Sequence, residues 1–248
     1  MYLWPDIVKD GVVRRGLLRI PHEDCTTKVG SLERIVHEEL KNLASKHPNL
    51  VIVALETTDP ASIKAAAARV EEHVKDSGLV LLINNAGIAR KSTLETETLE
   101  GMSLVYTTNV SGPLLVTQAF LPLLQKAAQG SNLKGLSCTK AAIINISSES
   151  GSIKNVYLWH LGQAISYRCS KAALNMLTKC QSLRYGGDGI LCIAVHPGWV
   201  QTDMGNTATF TAPVTVNASV QGILHVLPML SEKDNGAFVD WEGKVLPW

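Results

Sequence analysis

Apolar positions along this chain follow two periods. Residues 50–55, "LVIVAL", form a short unbroken apolar run rich in β-branched side chains, the pattern of a parallel strand buried on both faces. "LVLLI" at 79–83, "AAIINIS" at 141–147, "GILCIAV" at 189–195 and a last strand at about 237–241 within "GAFVDW" read the same way. Between the runs the spacing becomes helical. Ile63, Ala66, Ala67, Val70 and Val74 recur on one face of "DPASIKAAAARVEEHVKDSG", with Asp59 placed to cap, Pro60 to open the first turn and Gly78 to end the helix. A long helical region is expected at about 97–128, broken near Gly112 and Pro113, then helices at 166–185 and, more weakly, 214–231. Strands alternating with helices imply βαβ units and an α/β fold with a doubly wound, mostly parallel sheet. With no repeat, low-complexity tract or linker, residues 1–248 are expected to form a single domain. Residues 1–37 are atypical, and in the first 48 only "GVV" and "GLLRI" could be strand, while 31–47 look helical.

Composition narrows the function classes. A chain of 248 residues with 46% hydrophobic content can bury a substantial core. The formal net charge of +1 gives no electrostatic reason to expect nucleic acid or an anionic membrane as partner. Five cysteines, an odd number with none spaced as a metal knuckle, suit a reduced intracellular protein without a metal site. No apolar run reaches the roughly 18 residues of a membrane span, and "MYLWPDIVKD" lacks the apolar core of a secretory signal. A cytoplasmic location is expected.

The chemistry lies in "YRCSK", Tyr167 to Lys171. On a helix, residues four apart share a face, so the Lys171 ammonium can reach the neighbourhood of the Tyr167 phenol. A positive charge there favours phenolate and lowers a tyrosine pKa from its usual value of about 10, tuning it for proton transfer. By itself the pair fits one turn of any helix equally well. Three strand ends add context: "NNAG" at 84–87, Ser148 after "INIS", and "HPGWVQTDM" at 196–204. In open parallel sheets, ligands bind beyond the carboxyl ends of the strands. His196 reads as structural rather than as a base.

With "NNAG", Asn109, Ser148, "YRCSK" and "PGWVQT" (197–202) in this order and spacing, the sequence resembles the short-chain dehydrogenase/reductase family over residues 38–248. "CSKAALNMLTKCQSL", "HPGWVQTDMG" and "GAFVDWEGKVLPW" are most similar to its sniffer and C-factor-like carbonyl reductases. The resemblance implies a Rossmann-like fold and an NADP-dependent reduction of carbonyl groups by hydride transfer. It makes Tyr167 the general acid, has Lys171 lower its pKa and bind the nicotinamide ribose, has Ser148 orient the carbonyl, and has Asn109 hold a water of a proton relay. Asn85, Ala86 and Gly87 would line the adenosine side, and Pro197, Gly198, Val200 and Thr202 the nicotinamide. Glu56 stands where the family usually carries an aspartate near the adenine. A homodimer and a small apolar carbonyl substrate are expected, with Val156, Tyr157, Leu158 and Trp159 either around the mouth of the site or packed on the body or a second subunit.

One element of the family pattern is missing. The glycine-rich turn Thr-Gly-x-x-x-Gly-x-Gly, which follows the first strand and takes the pyrophosphate at a helix N-terminus, has no counterpart; the first 30 residues carry only Gly11, Gly16 and Gly30. Arg14, Arg15, Lys28 and Arg34 are the candidate partners of a 2′-phosphate. The strand ending in "NNAG" would lose its neighbour unless residues 7–20 supply a substitute. The alternative is a catalytically inactive relative that acts through protein contacts.

Overall fold

The computed structural model describes residues 16–17, 41–47, 49–206 and 210–248. One parallel sheet organises the chain. Its strands, β1 (Gly16–Leu17), β2 (Leu81–Asn84), β3 (Ala142–Ile146), β4 (Leu191–His196) and β5 (Phe238–Asp240), lie in that order across the sheet. The inner registers are Asn84 beside Asn145 and Asn145 beside Ala194. The four long runs at 79–83, 141–147, 189–195 and 237–241 therefore become strands within a residue or two of their expected limits, because each carries enough apolar surface to be buried on both faces.

The helices are α1 (Pro60–Val74), α2 (Leu99–Tyr106), α3 (Gly112–Gly130), α4 (Ile165–Tyr185) and α5 (Val216–Val226). Residues 41–46 are helical as well. Asp59 caps α1 through the Ala61 amide at 2.9 Å. The sheet's two faces are covered separately. Leu82, Ile143 and Cys192 pack against Ile63, Ala66 and Val70 of α1 and Val116, Phe120 and Leu124 of α3. Leu81, Ile144, Leu191, Ile193 and Val195 pack against Ile223 and Val226 of α5. Alternate residues of β2, β3 and β4 thus enter different cores, and the doubly wound architecture follows.

Two expectations change. Residues 51–56 belong to no strand, although "LVIVAL" reads as one. Val51 and Ile52 are exposed, while Val53 and Leu55 pack on the core from its margin. A strand requires a partner ladder, and among the described residues β1 offers only Gly16 and Leu17, which pair with Leu81 and Leu82 of β2. The substitute strand expected within 7–20 exists at those two positions. Arg14, Arg15, Lys28 and Arg34, and the question of a phosphate-binding turn, lie outside the described residues.

The expected break near Gly112 and Pro113 is a π turn, Thr107–Ser111, that runs without interruption from α2 into α3. Its cause is local. Pro113 has no N–H to return to the carbonyl four residues back, which is that of Asn109, and its ring crowds that carbonyl. Widening the turn relieves the clash, and such single π turns recur at functional sites.

Candidate active site

The site is assembled at the carboxyl ends of β2, β3 and β4. Ser148 follows β3, and its hydroxyl oxygen accepts the Ser150 amide at 3.1 Å, which fixes the side chain in a tight turn. Gly151, three residues on, lies against α4; a Cβ there would stand 2.6 Å from the Lys171 carbonyl carbon. The serine segment and the helix therefore approach as closely as backbone allows.

Tyr167 and Lys171 share one face of α4. Lys171 is buried and donates from Nζ to the carbonyl oxygen of Ile146, the last residue of β3, at 2.8 Å. The same Nζ is 5.7 Å from the centre of the Tyr167 ring. Burial pulls the lysine pKa down to about 8. Tyr167 is half-buried, and burial raises its pKa; a hydrogen bond with the Ser148 hydroxyl and the charge of Arg168 act in the opposite direction. The spacing alone suggests Lys171 as the group that lowers the phenol. In the folded chain desolvation outweighs the cations, and the counteracting pulls come from Ser148 and Arg168.

Asn109 sits in the π turn, fully buried. Its Oδ1 accepts the Ile88 amide at 2.8 Å, and its Nδ2 donates to the Ile88 carbonyl at 2.9 Å and to Ser170 Oγ at 2.9 Å. Ser170 in turn donates to the Tyr167 carbonyl at 2.8 Å. A Cβ on Gly87 would stand 3.2 Å from Asn109 Oδ1 and 3.4 Å from Lys171 Nζ. Ser148, Tyr167, Lys171, Asn109 and Gly87 are thus brought together from four segments.

Asn85 and Ala86 line a pocket together with Leu55, Thr57, Leu82, Ile83, Asn84, Pro113 and Val116. Glu56 is not among the lining residues; its Oε1 accepts from the Thr58 amide at 3.0 Å and the Thr58 hydroxyl at 2.9 Å. Beyond β4, Gly198 adopts φ +84, and a Cβ there would meet the Trp241 indole nitrogen at 3.0 Å. Pro197 accepts from Ser219, Val200 bridges to Val214, and the Thr202 hydroxyl accepts the Gly205 amide at 3.2 Å. His196 at the end of β4 lies 3.8 Å from Glu149, and burial holds its pKa at about 4. The imidazole is therefore neutral at physiological pH.

Over residues 24–212 the sequence matches the family model described as short chain dehydrogenase. The chain belongs to the short-chain dehydrogenase family. It is 37% identical over 171 residues to C-signal of Myxococcus xanthus, a match that spans 68% of this chain and 92% of that protein. It is similar in structure to the carbonyl reductase from chicken fatty liver, solved with NADPH bound: the TM-score is 0.81 at 67% identity, over 85% of this chain and 82% of that one. Carbonyl reductase Sniffer of D. melanogaster superposes with a TM-score of 0.81 at 36% identity, over 87% and 85% of the two chains. These likenesses agree with the sniffer and C-factor-like branch of the family.

The residues around Asn85 and Ala86 leave a pocket that suits the adenosine side of a dinucleotide. The pocket beside Asn85 and Ala86 is bounded by apolar Leu55, Pro113 and Val116, and the absent Cβ of Gly87 keeps the chain there clear of the Lys171 ammonium.

Several residues of this dehydrogenase site escaped the sequence reading. Asn145 is completely buried in β3 and joins Asn84, Thr178 and Gln181 at 2.8 Å each. An asparagine inside the apolar run "AAIINIS" was the available signal, since a buried amide demands partners. Arg168 ties down the loop before α4, donating to the carbonyls of Gln163 (2.7 Å), Tyr157 (2.8 Å) and Gly162 (3.0 Å) while its guanidinium lies 5.6 Å over the Trp159 ring. Nothing in the local pattern marked it.

Proposed function

We propose that this chain is an NADP-dependent carbonyl reductase with Tyr167 as general acid. The observation that carries this reading is the Tyr167 phenol, which shares a face of α4 with a buried Lys171 whose ammonium lies 5.7 Å from its ring centre. The NADPH bound to the similar chicken carbonyl reductase supports the choice of cofactor.

The protein's part in the reaction follows from the groups in place. A reduced nicotinamide held there would supply the hydride for the carbonyl carbon. The Ser148 hydroxyl orients the carbonyl oxygen by hydrogen bonding. Tyr167 gives that oxygen its proton, and the raised phenol pKa keeps the donor protonated at neutral pH. Lys171, free to carry or release a proton at a pKa of about 8, replenishes the phenol and would hold the ribose. The Asn109 side chain is occupied by Ile88 and Ser170. Its contribution to a relay would fall to its backbone carbonyl, to which Pro113 has no N–H to donate. Asn85, Ala86 and Gly87 would hold the adenosine side. Pro197, Gly198, Val200 and Thr202 would hold the nicotinamide, with Glu56 at the rim of the adenine pocket.

An apolar carbonyl substrate is favoured by the half-exposed Val156, Tyr157 and Trp159 on the loop that Arg168 organises. The exposed Leu99, Leu104, Met176 and Leu183 on α2 and α4 suit a homodimer. The free thiols Cys138, Cys169, Cys180 and Cys192 suit a single reduced cytoplasmic domain, and among the described residues no helix is long and apolar enough to cross a membrane. An inactive relative has only the missing glycine run in its favour.

The test is a fluorescence titration of the purified chain with NADPH and with NADH, followed by steady-state reduction of an aromatic ketone. Saturable, tighter NADPH binding with turnover is the expected outcome. A flat titration with both cofactors would overturn the reading.

A further inference from the structure

The helix that carries Tyr167 does not cap itself. Ala164 at its N-cap adopts φ 44, ψ 56 and offers no side-chain acceptor. The first amides of α4 are nevertheless satisfied from elsewhere. Ala164 N–H donates to the Ser92 carbonyl at 2.9 Å, Ile165 N–H to Ser92 Oγ at 3.1 Å, and Ser166 N–H to Glu97 Oε2 at 3.1 Å. The Ser92 hydroxyl donates to the same Glu97 oxygen. The loop before the helix reciprocates, for Gln163 Oε1 accepts the Leu94 amide at 2.9 Å.

We propose that Ser92 and Glu97 are positioning residues for the reaction, holding the first turn of α4, and with it the Tyr167 phenol, from outside the helix. The inference rests on the role assigned above to Tyr167. Tyr167 is the third residue of α4, so a frayed first turn would carry it away. A carboxylate also suits the positive end of a helix. Hydrogen bonding from Ser92 first, and from Ser166, holds Glu97 at a pKa of about 2, so the clamp stays charged at any physiological pH. The other end of the same segment is fixed too: Ile88 exchanges two hydrogen bonds with Asn109. Residues 88–97 therefore link the π turn to the proton donor. Room for the carboxylate comes from Gly101, where a Cβ would stand 2.4 Å from Glu97 Oε1.

A plain stabilising cap would change the melting temperature and little else. A positioning role changes turnover in the folded protein, because small misplacements of a reacting group cost large factors in rate. The experiment compares Glu97→Ala, Ser92→Ala and Glu97→Gln with the native chain. Turnover is read at saturating NADPH, together with the cofactor dissociation constant and the folded fraction at the assay temperature. Glu97→Ala is expected to lose about ten-fold or more in kcat with cofactor affinity within about two-fold, and Glu97→Gln, which keeps an acceptor oxygen, to recover most of the loss.

Two readings need no activity. Amide exchange at 164–167 should accelerate in Glu97→Ala while the rest of α4 is unchanged. The Tyr167 phenol, isolated by ultraviolet difference against Tyr167→Phe, should titrate at a lower pH as its burial is lost. Unchanged exchange and phenol titration in Glu97→Ala would overturn the proposal, as would a kcat loss fully matched by unfolding. A native chain without carbonyl reduction would instead overturn the proposed function, while exchange and titration still judge the clamp.

Discussion

Lys171 Nζ donates to the Ile146 carbonyl oxygen at 2.8 Å, so the ammonium of α4 is moored to the end of β3. The bond keeps a buried cation beside the phenol while supplying one of the acceptors that burial removes. It also separates the expected effects of three substitutions. Tyr167→Phe removes the proton donor and should lower kcat by about 10²–10⁴-fold with cofactor affinity intact. Ser148→Ala should lower kcat without weakening NADPH binding. Lys171→Ala should do both. Turnover and cofactor dissociation constants in one buffer decide it, and a Tyr167→Phe protein with native turnover would contradict the assignment.

His196 makes the fold acid-sensitive. Its pKa is about 4 in the folded chain against 6.5 when unfolded, owing first to burial and despite the opposing charge of Asp240. Between these values the unfolded chain binds more protons, so stability is full above 6.5 and falls as pH drops toward 4. The shift is worth up to about 3 kcal/mol, reduced by whatever pairing with Glu149 the charged imidazole gains. Denaturant midpoints measured across this range should fall in the native chain and stay flatter in His196→Gln.

Asn145→Ala should be severely destabilising. The side chain accepts from Asn84 and donates to Thr178 and Gln181, all of them buried. Removing it strands several polar groups, each at a cost of about 1–3 kcal/mol. A drop in the unfolding free energy below about 1 kcal/mol would show that the network relaxes or takes in water.

Gly151→Ala tests the contact between the Ser148 segment and α4. The new methyl carbon would fall 2.6 Å from the Lys171 carbonyl carbon and 2.8 Å from the Ala172 nitrogen. Neither atom belongs to a side chain that can turn away. Overpacking of about 1–3 kcal/mol is expected, with losses of both turnover and cofactor affinity, because the displaced backbone is that of Lys171.

Trp159→Ala tests the loop ahead of α4. The indole lies under the Arg168 guanidinium at 5.6 Å and is 40% exposed, so its removal should cost only about 0.5–1 kcal/mol of stability. If it borders the substrate, KM for an apolar aromatic ketone should rise while KM for a small aliphatic one is unchanged. Equal KM values for both would place Trp159 outside the site.

The sequence by itself determined the inner strands, the helices between them and the placement of Ser148, Tyr167 and Lys171 at strand end and helix face. Those features follow from spacings of two to four residues, which the chain carries locally. It also carried the cause of the π turn, a proline four residues after Asn109. Tertiary structure decided the rest. "LVIVAL" has strand composition but belongs to no strand, because a ladder needs a neighbour and among the described residues none pairs with it. Asn145 is tied to Asn84, 61 residues away in sequence, and the first turn of α4 to Ser92, 73 residues away. The sign of the Tyr167 shift was likewise set by burial rather than by the neighbouring lysine. Each of these depends on which segments the fold brings together, and a hydrogen bond or a desolvation penalty between distant residues leaves no periodic trace in the chain.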